Sequence, residues 1–215
     1  PPPSRGLFVF RRRLFNDSVC LIPLCFFLIT TAAAVSNSRG QSLEEELKAI
    51  PLSQLADSSR TLGDASRGAI LFHQPQLNCS KCHALGKANP SLLGPDLTSL
   101  GEQAADEHLI ESVLEPSKKI RGGFETISLL TTDEELISGL LVERSESQVV
   151  LRDLSQPEVT YTVPSASIEE LKSSQLSLMP AGLVNLLSNK EQFYDLIKFL
   201  IEVRDGGKER ATELT

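Results

Sequence analysis

The stretch NCSKCHALG, residues 78–86, places Cys79 and Cys82 three positions apart with His83 directly after the second cysteine. Three chemistries use such a pair: a redox disulfide, half of a zinc site, or the attachment point of a haem. Zinc needs about four ligands, usually Cys or His. Outside the motif the chain beyond residue 34 offers only His73 and His108, Cys20 and Cys25 lying in the N-terminal segment. A thioredoxin-like pair would sit between a strand and a helix of a βαβ unit, whereas its neighbourhood reads as helical and that reading leaves His83 without a role. The haem reading uses all three residues. Each thiol adds to one vinyl group, the spacing matches two fixed points on a rigid macrocycle, and the adjacent imidazole lies under the iron as its proximal ligand. The plain alternative is a chance CxxCH whose cysteines act as small buried hydrophobes.

The N-terminus bears on that choice. Arg5 and Arg11-Arg12-Arg13 precede the apolar run VCLIPLCFFLIT, residues 19–30, and then TAAAVSNS with Ala32 and Ala34. This three-part layout predicts a secretory signal over residues 1–34. Pro23 interrupts the run, which is short for a membrane span, so an uncleaved anchor is the second reading. The chain opens on Pro1 rather than Met, and its true start is expected to be missing or miscalled. Cleavage near Ala34 would leave 17 basic against 27 acidic residues, a formal charge of -10, with Cys79 and Cys82 as the only cysteines. An exported chain with one close pair is not a disulfide-stapled scaffold. The full chain's net charge of -7 argues against nucleic acid and anionic membrane surfaces as partners.

Residues 35–64 are Ser-rich and polar and read as a leader arm, with a short helical candidate at SLEEELKAI. ASRGAILFHQ reads as a short helix before the cysteine motif, and GPDLTSLG as a loop. AADEHLIESVLEP reads as a helix with Leu109, Ile110, Val113 and Leu114 on one face, stopped by Pro116. Between 122 and 164 the pattern changes to GGFETISLL, ELISGLLVE, QVVLRDL and EVTYTVP, read as four strands in a meander. Ser188 and Glu191 have capping-box spacing ahead of the stripe Phe193, Leu196, Ile197, Leu200 and Ile201. Gly206-Gly207 is expected to end that helix, with 206–215 a flexible tail.

The chain's one methionine, Met179, lies in SLMPAGL, 96 positions after His83. Its thioether is either a core gap-filler or a soft axial ligand, a pairing with His that raises the potential. Read together, LFHQPQLNCSKCH, GPDL, a late MP and the helix NKEQFYDLIKFLIEV resemble a class I cytochrome c. More narrowly, CSKCH, GPDLTSLG, LIESVLEPSKKIRGGFET, a β stretch and SLMPAGLVNLLSNKEQFYDLIKFL are similar to the haem-binding domain of planctomycete and verrucomicrobial secreted proteins, over about residues 65–203. The resemblance implies a mainly α fold, with a class I cytochrome c-like helical core at 65–205 and a small antiparallel β insertion at about 122–164. It implies one covalent haem c, with His83 proximal and Met179 distal, and the Pro95 carbonyl accepting a hydrogen bond from His83. Such a bond fixes the imidazole and raises its basicity. Phe72 and Leu97 are candidate haem-wall residues, though residues of these types are more often simply core. His73 and His108 are the competing ligands, the first too near the motif and the second expected to face solvent.

These readings make the chain an exported, periplasmic one-electron carrier rather than an enzyme. No phosphate-cradling Gly loop, nucleophile elbow or metalloprotease motif is present. Its partners would be redox proteins, such as a periplasmic dehydrogenase or a terminal acceptor, with the membrane involved only through an uncleaved N-terminus. Two other classes compete. One is an open-haem sensor or peroxidase-like enzyme, and the other a structural or assembly subunit of a larger redox complex.

Overall fold

In the computed structural model, residues 40–86, 92–101 and 104–215 are described; the expected signal segment lies outside them. The helices are α1 (Leu43–Lys48), α2 (Leu52–Leu62), α3 (Ala65–His73), α4 (Cys79–Cys82), α5 (Asp106–Leu114) and α6 (Lys190–Leu214). The strands are β1 (Thr126–Thr131), β2 (Leu136–Arg144), β3 (Gln148–Arg152), β4 (Thr160–Pro164) and β5 (Ile168–Ser173).

The helical half is organised by α3 against α6. At Gly68 a Cβ would lie 2.0 Å from the Asp195 carbonyl oxygen, so only glycine allows the two backbones this close. One turn further, Phe72 and Phe199 pack with ring centroids 5.2 Å apart. Asp195, 4% exposed, accepts from Arg67 Nε at 2.7 Å, Arg67 Nη2 at 2.8 Å and the Asp64 amide at 2.7 Å. A buried carboxylate needs such partners, and here they lock the start of α3 onto α6.

Asp106, at the start of α5, is clamped by Arg60 of α2 and by Arg204 of α6, the latter at 2.9 Å. Burial alone would raise its carboxyl, but the two guanidiniums outweigh burial and hold it below the usual carboxylate range. Three helices are thereby joined through one side chain.

The helical ends depart from the sequence reading. Residues 43–62, read as a polar leader arm, form α1 and α2, whose Leu47 and Leu55 are fully buried in the helical core. Ser42 and Glu45 make the reciprocal capping box that starts α1. The cap of α6 is Asn189, whose side chain accepts from the Gln192 amide at 3.0 Å, while Gln192 Oε1 takes the Ser188 amide at 2.8 Å. The expected Ser188–Glu191 box is displaced by one residue. Gly207, at φ +61°, breaks helical geometry as expected, but helix resumes to Leu214 with Ala211 buried. Arg210 reaches back across the break to Glu202 at 2.6 Å. Residues 206–215 are therefore docked helix, not a tail.

The mainly α fold with a small insertion is overturned. Of the described residues 44% are helix and 18% strand, and the five-stranded antiparallel sheet has a core of its own. The strand order is β4-β3-β2-β1-β5. The four expected segments form β1 to β4, and β5 then returns to pair with β1, opposing Leu171 to Leu129. Ile127, Leu129, Val149, Leu151 and Val163 form a hydrophobic cluster separate from the helical one. The architecture is α+β, a helical half and a sheet half, and the sheet extends past the expected limit at 164. Its last strand, IEELKS, was hidden by residues of high helix propensity, which pairing with β1 overrides. No helix among the described residues is long and apolar enough to cross a membrane.

Candidate functional site

The helical half contains a cleft of about 210 Å3 into which Cys79, Cys82, His83, Pro95, Phe72, Leu97 and Met179 all project as lining residues. All seven residues singled out from the sequence thus meet at one place, although they span more than a hundred positions.

The cysteine motif is shaped by its backbone. Asn78 adopts φ +59°, a left-handed conformation that asparagine tolerates, and launches the single turn of α4. The turn closes with the His83 amide donating to the Cys79 carbonyl at 2.9 Å, after which His83 itself is extended. The chain leaves the helix at the histidine.

The imidazole of His83 is then fixed from behind. Its Nδ1 lies 3.0 Å from the Pro95 carbonyl oxygen. A carbonyl can only accept, so Nδ1 carries the proton and Nε2 keeps the free lone pair. Burial lowers the pKa of the ring and the Pro95 hydrogen bond opposes this, the net being a shift below the ordinary value. At neutral pH the ring is a neutral, ligand-ready imidazole.

Gly94 makes room for it. A Cβ at that position would stand 2.7 Å from the Cys82 carbonyl oxygen, 3.0 Å from His83 Cε1 and 3.1 Å from His83 Nδ1. The turn carrying Pro95 is pinned in turn by Asp96. Its carboxylate accepts from the Gly86 amide at 3.0 Å, the Thr98 amide at 2.9 Å and Thr98 Oγ1 at 2.7 Å. Burial would raise the Asp96 carboxyl, but these donors outweigh it and lower it. The Leu97 amide adds a bond to the Ala84 carbonyl at 3.0 Å. Sequence reading missed Asp96; its signal was an Asx-type acceptor inside GPDL, two residues before Thr98.

Burial dominates the cysteine chemistry. It pushes the Cys79 thiol up to about 11, with a nearby Cys82 adding to the rise and a backbone hydrogen bond opposing it. Cys82 is also raised by burial. A redox-active cysteine pair is favoured by the opposite shift, toward thiolate. Nor are three or more His, Cys, Asp or Glu side chains grouped to hold a metal among the described residues.

Met179 is half-buried and packs against the helical core. Its amide donates to Ser177 Oγ at 3.1 Å, and the Ser177 amide donates to Ser117 Oγ at 3.1 Å. The SLMP loop is thereby tied to the segment that follows α5. Gly182, at φ +78°, turns the chain into the 3-10 turn Leu183–Leu186 that leads toward α6.

The competing histidines separate. His73 is exposed, outside the cleft lining, with its ring edge against Phe72 at 5.1 Å. His108, expected to face solvent, is half-buried and lines the cleft. The reason is rotational: His108 and Ser112, with Leu109 and Val113, form the face of α5 toward the cleft, while Ile110 and Leu114 enter the core. Lys119, Arg121 and Phe124 also line the cleft from the loop after α5 and had not been singled out. No family model matches the chain, and no curated protein does.

Proposed function

We propose that the chain holds one covalently attached haem c in this cleft and passes single electrons between redox partners. Cys79 and Cys82 form the thioether links, His83 supplies the proximal nitrogen and Met179 the second axial ligand. The observation that carries the reading is the His83–Pro95 contact of 3.0 Å inside a cleft that also gathers both cysteines and the chain's one methionine. The residues fit such a group: two half-buried thiols, a neutral imidazole with Nδ1 already satisfied, a soft thioether and mostly apolar walls. The haem supplies an iron centre that changes oxidation state by one electron. The Pro95 carbonyl holds the imidazole orientation, Asp96 holds Pro95, and Phe72, Leu97, Leu196 and Leu200 keep water from the group. The resemblance of residues 65–203 to secreted haem-binding domains supports the same chemistry. It also supports an exported protein whose electron donor or acceptor is a separate redox protein. A chain of this acidity favours a partner with a basic face and an association weakened by salt.

His108 in the cleft wall favours one second reading, an open haem with His108 beside the vacant position, used for sensing or peroxide chemistry. The oxidised visible spectrum separates the two. The electron-carrier reading expects a sulfur-to-iron charge-transfer band that Met179→Ala removes and His108→Ala leaves in place. A five-coordinate wild-type spectrum that responds to carbon monoxide would replace it with the open-haem reading.

A further inference from the structure

The charge in the cleft wall has one sign. Among the described residues no Asp or Glu lines the cleft, although the chain carries 28 acidic residues against 21 basic ones. Lys119 and Arg121 both do. They sit on the segment between Pro116, which ends α5, and Phe124, whose amide donates to the Arg121 carbonyl at 3.0 Å. Their neighbour Lys118 is already paired, with Glu111 at 2.8 Å and Glu115 at 3.2 Å. Lys119 and Arg121 enter no ion pair or side-chain hydrogen bond among the described residues. Two exposed cations outside any ion pair, in the lining of a mostly apolar cleft, suit a guest that is apolar in the body and carboxylated at one edge. A haem is such a guest, with two propionate groups on one side of its ring.

We infer that Lys119 and Arg121 bind the propionate carboxylates and so set which edge of the macrocycle faces the loop after α5. This rests on the haem reading above. Both residues act as positioning groups and take no part in ligating the iron.

The test is a spectroelectrochemical titration of the exported holoprotein, with resonance Raman spectra of the reduced state. Wild type is compared with Lys119→Gln/Arg121→Gln and with the charge-conserving Lys119→Arg/Arg121→Lys. Losing two cations beside the group removes stabilisation from the reduced state, which carries one positive charge fewer. The neutral variant is expected to keep its haem, to favour the oxidised state by about tenfold, about 59 mV for one electron, and to shift the propionate bending bands. The charge-conserving variant should return both readouts toward wild type. A neutral variant that loses haem while the charge-conserving one retains it would also support the assignment. Unchanged propionate bands overturn it and leave the haem reading standing, as does loss of haem from both variants, since the loop would then act through shape. Wild type without covalent haem would defeat the haem reading first, and this inference with it.

Discussion

At the scale of single residues, the site depends on what stands behind His83. Gly94 is the sharpest case, because any side chain there meets both the Cys82 carbonyl and the edge of the imidazole that faces Pro95. Gly94→Ala is predicted to cost about 1–3 kcal/mol as overpacking. It is also predicted to displace the ring from Pro95, changing the axial-ligand absorption of the oxidised protein. A denaturant titration and a visible spectrum check this together; an unchanged spectrum would mean that the ring has slack the distances do not suggest. CSKCH was readable as a local signal of fixed spacing, and the Pro95 contact was expected from the resemblance of GPDL to a class I cytochrome c loop, whereas the roles of Gly94 and Asp96 were not. His108, Lys119 and Arg121 were not, because their place in the cleft depends on the rotation of α5 and the path of the loop after it. A single sequence carries no local mark for either.

Among the elements, α2, α5 and α6 are joined at Asp106 by Arg60 and Arg204. Its carboxyl is held below the ordinary 3.8, so it stabilises the fold fully above that value. The contribution is lost as pH falls through the lower folded-state value. Urea midpoints are therefore predicted to drop below about pH 4. Asp106→Asn should be less stable than wild type at pH 7 and lose less on acidification. Parallel acid profiles for the two proteins would remove Asp106 from the account. The same scale explains the misread elements. The arm at 35–64 read as polar with one short helical candidate, yet Leu47 of α1 and Leu55 of α2 anchor both helices in the helical core. β5 carries no strand signal in isolation, and its pairing with β1 makes it a strand.

Across the whole molecule, two hydrophobic clusters divide the labour. The cleft belongs to the helical one, so damage to the sheet should spare it. Leu129, fully buried between its neighbours on β2 and β5, is the probe. Leu129→Ala is predicted to cost the sheet about 2–5 kcal/mol while leaving the visible spectrum unchanged; a spectrum that moves with it would show the halves to be coupled. Alternating residues announced strands between 122 and 164, but period alone did not reveal that five strands would close over a core of their own. That fact changes the fold from helical to α+β while leaving the cysteine motif inside a helical setting. The central claim is covalent haem at Cys79 and Cys82, and the intact mass of the protein produced alongside a haem-attachment system, followed by mapping of the peptide containing residues 78–86, tests it most directly. The account predicts a mass increase of one haem that resists denaturation and localises to that peptide, absent from Cys79→Ser/Cys82→Ser. An unmodified mass with both thiols free, or joined to each other, would contradict it.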